Sequence, residues 1–195
     1  MKKFELPGYR KLAKRCIKIV STCLDELDVK WALGHGTLMG QVKINGLLET
    51  CSDIDIDTFN VSEETIFKIK DKLKPYLPFE TLRKYRNKYY LLAFRVNRMR
   101  VDIHFWYNKN DYMYRVDSHK PAPNEHVFYK LPSHIFDELI PIDFVGTKAY
   151  IPSDSHLYLD VMYGDHWKLK DSGEGWHTKR DSPCLIQESE CTIYE

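Results

Sequence analysis

WALGHGTLMGQVKINGLLETCSDIDIDTF, residues 31–59, holds two local patterns divided by a stop signal. A short apolar run ending at Leu33 meets GHGTLMG, where glycines and a threonine precede a second apolar run that ends at Asn45-Gly46. That order is the pattern of a strand, a tight turn and a short helix, with Gly46 as the helix stop. Farther on, Asp53, Asp55 and Asp57 alternate with Ile54, Ile56 and Thr58, the period of a half-buried strand whose isoleucines turn to a core. Successive carboxylates on one strand face stand ~7 Å apart, and at an effective dielectric of about 20 two unit charges at that distance repel by roughly 2 kcal/mol. Water reduces that repulsion, and a cation reverses it.

The chain has 195 residues, 43% hydrophobic and 13% aromatic, enough for one domain with a substantial core. Its formal charge of +1 leaves no bulk electrostatic case for nucleic acid or a membrane surface, so charge-driven binding must be local. No run approaches the ~20 consecutive apolar residues of a spanning helix, and MKKFELPGYRKLAKR lacks the apolar stretch of a signal peptide. The expectation is a cytoplasmic chain without a membrane span, unless a leader or anchor has been removed. Cys16, Cys23, Cys51, Cys184 and Cys191 include no C-x-x-C pair. Cys16 and Cys23 would lie ~10 Å apart on one helix, too far for a bridge, which suits reduced structural thiols.

Tyr9 to Leu27 has helical spacing, with Leu12, Cys16, Ile19, Cys23 and Leu27 on one face. Ser62 caps a second helix with Glu63 and Glu64 in its first turn and Pro75 at its end. The cap also explains Ser62 without invoking the glycosylation triplet Asn60-Val61-Ser62. Tyr89 to Val96 and Met99 to Tyr107 alternate and join at Asn97-Arg98 like a hairpin. On the second strand Arg98, Arg100, Asp102, His104 and Trp106 share the polar parity. Between Glu80 and Asp102 stand seven basic residues and no acid; an edge strand guarded by charge accounts for most of them, and a polyphosphate partner for some. Residues 108–135 carry Pro, Asn and His and suggest loop with one short strand. Ser153-Asp154 opens a last helix through Met162, and residues 170–195 suggest a loosely structured tail after a single domain, 1–169.

Residues 31–59 resemble the signature of the LicD and fukutin-related family of phosphotransferases. Gly36, Thr37, Leu38, Gly40, Val42, Gly46, Leu48, Asp53, Ile54, Asp55 and Ile56 fit its pattern without a gap, with Lys43 where an arginine is usual. FDELIPIDFVGTKAYIPSDSHLYLDVMYGDHW, residues 136–167, resembles the family's closing segment through Pro152, Tyr163, Gly164 and Trp167. VDIHFW, residues 101–106, puts Asp102 where the family has its third metal carboxylate. One departure is local: the family usually has Pro-Trp-Asp-Asp before Asp-Ile-Asp, and here Glu49, Thr50, Cys51 and Ser52 stand there.

The resemblance implies an α+β nucleotidyltransferase-like fold, a mixed sheet flanked by helices. It further implies transfer of a substituted phosphate from a nucleotide diphosphate donor, such as a cytidine diphosphate alcohol, to a sugar hydroxyl of a glycan, with release of the nucleoside monophosphate. Asp53, Asp55 and Asp102 would be the catalytic carboxylates and would hold magnesium, or manganese in its place. Gly36 and Thr37 would meet the phosphates at a helix start, and Arg100 would grip one of them or, equally, pair with an acid. Asp57 is an extra acid, expected to be accessory or on the surface. His35 and His104 fit ordinary polar positions, and Trp31, Tyr163 and Trp167 fit packing. Two rivals remain: nucleotidyl transfer to a small molecule or RNA end, and nucleotide binding without turnover.

Overall fold

The computed structural model describes residues 8–49, 52–118, 126–168 and 182–194. Among these residues four α-helices, α1 (Tyr9–Glu26), α2 (His35–Ile44), α3 (Glu63–Leu73) and α4 (Ser155–Tyr163), surround strands β1 (Trp31–Leu33), β2 (Asp53–Phe59), β3 (Phe79–Tyr85), β4 (Lys88–Val96), β5 (Met99–Lys109), β6 (Tyr112–Ser118), β7 (His126–Pro132), β8 (Leu139–Phe144), β9 (Thr147–Pro152) and β10 (Leu185–Ile186). The expected α+β architecture, a mixed sheet flanked by helices, is present. β5 is the long central strand. Its first part lies between β4 and β2, and its last part pairs with β6, which continues through β7 to β10. Among the described residues only β2 and β5 run parallel, and every other pair is antiparallel.

Local signals account for many boundaries. The Ser62 side chain accepts the Thr65 N–H at the start of α3, and Asp154 accepts that of Leu157 at the start of α4, so each satisfies a donor that a helix start leaves open. Asn97 takes φ 56° in the β4–β5 turn. At the end of α2 it is Asn45, not the expected Gly46, that enters the left-handed region, at φ 52°, while the Gly46 N–H returns to the Gly40 carbonyl. In α1 the most buried face is Ala13, Cys16, Ile17, Val20 and Leu24, whereas Leu12, Ile19 and Leu27 are only partly covered. The helix packs against both α3 and β9, which turns the buried stripe away from the expected one.

Two stretches differ from the sequence expectation. Residues 108–118 and 126–132 form the end of β5, β6 and β7 rather than loop, because partners extend the sheet past its first part. Of the expected loose tail, residues 170–181 lie outside the described residues, and 182–194 are packed: β10 pairs with β7, and Cys184 and Cys191 are buried. Cys16, Cys23, Cys184 and Cys191 are free thiols; burial pushes the first two up to about 11 and the last two up to about 12. Cys51 and Thr50 lie outside the described residues. Trp31 and Trp167 are buried and donate from their indoles to Asp25 and Asp160. Among the described residues no helix is long and apolar enough to cross a membrane.

Asp57 is the clearest correction. It is 0% exposed, not a surface acid. The Tyr158 hydroxyl of α4 donates to its Oδ2 at 2.7 Å and accepts the His35 N–H at 3.1 Å. One buried carboxylate therefore links β2 to α4 and, through the tyrosine, to the start of α2. The turn comes so close that a Cβ on Gly34 would lie 2.6 Å from the Asp57 carboxylate. Gly34→Ala should therefore lower stability by about 1–3 kcal/mol, as overpacking does. A Cβ on Gly46 meets nothing nearer than 3.9 Å, so thermal unfolding should show a drop of several degrees for Gly34→Ala and little change for Gly46→Ala.

Candidate metal centre

The register of β2 against β5 sets Asp53 beside Arg100, Asp55 beside Asp102 and Asp57 beside His104. Alternation along each strand then brings the side chains of Asp55, Asp102 and His104 onto one face. One ligand atom from each lies within 4.8 Å of the others. Asp53 precedes Asp55 on the same strand parity but is not in that closest group. The first turn of α2 is tied to the same place from both sides of one residue: Gly34 N–H donates to the Asp55 carbonyl at 3.0 Å, and Asp55 N–H donates to Thr37 Oγ1 at 2.8 Å.

Thr37 is 1% exposed, and its oxygen already accepts that backbone donor. Its hydroxyl thus anchors the turn to β2. Gly36 lies beside it in the first turn of α2, partly exposed. Arg100 Nε stands 3.0 Å from Asp102 Oδ1 and 3.4 Å from Glu80 Oε2, and Glu80 also holds Arg95 at 2.8 Å. The guanidinium expected to meet phosphate is engaged with acids here.

Burial dominates the electrostatics. It raises the Asp55 carboxyl well above the usual range, and the neighbouring charges of Asp53, Asp102 and Asp57 raise it further. It pushes Asp102 up to about 7; the Arg100 guanidinium opposes the rise and Asp53 adds to it. Crowded, half-dehydrated carboxylates resist ionising together, and a divalent cation removes the conflict. Asp102 Oδ1 is buried and accepts no hydrogen bond among the described residues. Two convergent carboxylates, one with a buried oxygen that is ion-paired to Arg100 but accepts no aligned hydrogen bond, fit a divalent metal ion.

Behind the carboxylates lie His35 and His104, which the sequence reading took as ordinary polar positions, and Arg115, which it did not mark. His104 Nε2 is 3.3 Å from Asp55 Oδ1, and its Nδ1 meets Arg115 Nη1. The rings of His35 and His104 are 4.8 Å apart, and His35 Nε2 is 3.9 Å from Asp57 Oδ1. Burial lowers the pKa of both histidines, and the Arg115 charge lowers it further. His104 was visible by parity, two residues after Asp102. Arg115 had no local signal, since only the crossing of β6 over β5 brings it here.

The raised Asp102 pKa sets a sign for stability. Its folded value lies above the unfolded carboxyl value, so between about pH 4 and 7 the folded state binds more protons and loses stability as pH rises. In a chelator, the melting temperature of the unaltered chain should fall across that window. Asp102→Asn should show a shallower fall; equal slopes in a thermal scan would contradict the assignment.

A family model described as LicD/FKTN/FKRP, nucleotidyltransferase domain, matches residues 28–154. The chain is 23% identical over 181 residues to the ribitol-5-phosphate transferase FKTN of Homo sapiens and to that of Macaca fascicularis, with 92% of this chain and 38% of each relative covered. It thus spans little more than a third of the length of those curated relatives. Among solved structures, ANT(2")-Ia in complex with adenylyl-2"-tobramycin aligns at 12% identity and a TM-score of 0.43, over 82% of this chain and 79% of that one. The matched segment runs from just before β1 to the cap of α4 and contains Asp53, Asp55, Asp102 and the α2 turn. The chain belongs to the LicD/FKTN/FKRP nucleotidyltransferase-domain family.

Proposed function

We propose that this chain is the catalytic domain of a metal-dependent phosphotransferase that moves an alcohol phosphate from a cytidine diphosphate alcohol to a sugar hydroxyl of a glycan. The name of the FKTN relatives makes ribitol 5-phosphate the first group to test. The observation that carries the reading is the convergence of Asp55 and Asp102 across the parallel β2–β5 pair. Asp55 and Asp102, with Asp53 beside them, would hold magnesium or manganese, ions suited to carboxylate and phosphate oxygens. Such an ion, when bound, neutralises charge on the transferring phosphate.

The acceptor oxygen forms a bond to the phosphorus that bears the alcohol, and the bond from that phosphorus to the bridging oxygen breaks. Cytidine monophosphate leaves with the bridging oxygen. The acceptor's proton goes to a carboxylate, for which Asp102 is the candidate. The first turn of α2 would present backbone N–H groups near Gly36 to the donor phosphates. Arg100 would exchange part of its contact with Asp102 and Glu80 for a phosphate oxygen when donor binds.

The test is release of cytidine monophosphate from cytidine diphosphate ribitol and other cytidine diphosphate alcohols, with a sugar acceptor and magnesium or manganese. Asp55→Asn and Asp102→Asn should each lower the rate by roughly a hundredfold or more, with circular dichroism unchanged. Recovery of the cytidine on the acceptor product would instead mean nucleotidyl transfer. Metal-dependent donor binding without turnover of any donor would mean a binding protein.

Arg100→Lys should weaken donor binding by about tenfold in calorimetry, because a lysine does not reproduce a guanidinium's paired contacts. Lys84→Ala, which removes an exposed cation held by Glu63 at 3.7 Å, should leave it unchanged. Unaltered donor affinity in Arg100→Lys would make Arg100 a structural ion pair.

A further inference from the structure

Arg115 and His104 stand directly behind Asp55, and the proposed reaction gives them no task. Arg115 is 1% exposed, with its guanidinium 5.2 Å from the Trp106 ring and 4.8 Å from that of Tyr129. Its Nη2 lies 3.5 Å from Asp117 Oδ2, and its Nη1 is in hydrogen-bond contact with His104 Nδ1. A charge buried so fully is costly unless its partners hold it in place. The arrangement also settles the imidazole by donor arithmetic. A guanidinium only donates, so Nδ1 of His104 must accept, and the hydrogen of the neutral ring sits on Nε2. That nitrogen points at Asp55 Oδ1, 3.3 Å away, and donates to it.

Both ring nitrogens are then occupied. Nε2 carries a hydrogen and has no lone pair to offer a cation, although His104 lies within ligand distance of the two carboxylates. We propose that Arg115 and His104 form a positioning relay: Arg115 fixes the tautomer of His104, and His104 fixes the orientation of Asp55, so the ion is held by oxygen atoms alone. The relay rests on the metal reading above and narrows it. An all-oxygen set favours hard ions such as magnesium and manganese, whereas an imidazole ligand would favour zinc, copper or nickel. His104 and Arg115 are thus positioning residues, and metal affinity depends on them through Asp55.

Two measurements on the metal-free and metal-titrated chain test this. Long-range proton–nitrogen NMR of the imidazoles without metal, with the His104 signal identified by its loss in His104→Gln, should show a neutral ring bearing its proton on Nε2. Calorimetric titration with manganese alone should give His104→Gln an affinity within about threefold of the unaltered chain, since its amide nitrogen still donates to Asp55. His104→Leu and Arg115→Met should lose about tenfold or more. Melting curves in chelator identify any variant that fails to fold. A proton on Nδ1, an equal loss in His104→Gln and His104→Leu, or an undiminished affinity in His104→Leu would each overturn the relay. An unaltered chain that binds no divalent ion would overturn the metal reading itself and remove the relay's task. The two failures stay distinguishable, because the tautomer is read with no metal present.

Discussion

The parallel ladder between β2 and β5 puts Asp55 opposite Asp102, and most of what surrounds it follows from having two acids there. A shift of one residue in that register would turn one of the two acids to the other face, because side chains alternate along a strand. The register is held by apolar neighbours on the opposite face: Ile54, Ile56, Val101 and Ile103 are all fully buried. The hydrophobic core thereby fixes the distance between two groups that repel each other. β4 on the far side of β5 adds a second ladder, so β5 has little freedom to slide.

The surroundings of the pair divide by polarity of purpose. Toward the exposed side stand Asp53, Arg100 and Glu80, which remain partly accessible and can exchange partners. Toward the interior stand His104, Arg115, Asp57 and Tyr158, closed off from water, with His35 largely covered beside them. In that inner group each polar contact has consequences, since a buried group without a partner costs free energy that an exposed one does not. Tyr158 joins three elements by donating to Asp57 and accepting from His35, and Thr37 joins α2 to β2 by accepting from Asp55. The backbone of the α2 turn is therefore positioned by the same strand that carries the acids.

Family membership and geometry meet at particular residues. The matched segment, 28–154, includes the α2 turn, β2 and β5, the three elements that meet at Asp55. Arg115 on β6 also lies within it, yet its place behind His104 depends on strand pairing and not on any local motif. The departure at residues 49–52 lies immediately before β2. Of those residues, Glu49 and Ser52 are described, and the Ser52 carbonyl accepts from the Tyr9 hydroxyl and from the Arg100 N–H. The segment before β2 therefore differs in composition from the usual pattern, while β2 keeps its register with β5.

Much of the local structure was legible in the amino-acid order because local chemistry decides it. Alternation gave β2 and the start of β5, Ser62 and Asp154 marked helix starts by their capping oxygens, and Asn97 marked the hairpin. The meeting of Asp55 with Asp102 was expected from the family resemblance and not from local pattern. Periodicity says which residues share a face, but not what covers that face. Asp57 shares the parity of Asp53 and Asp55, yet α2 and α4 close over the end of β2 and bury it, which no local pattern contains. The same holds for Arg115 and for residues 182–194, whose positions depend on strands that pair across long stretches of chain. The sequence by itself determined the element types, the capping and the candidate acids, since these depend on neighbours along the chain. Only the tertiary structure decided which acid faces the site and which is sealed in the core, and that Arg115 stands behind His104, because burial and buried hydrogen bonds depend on neighbours in space.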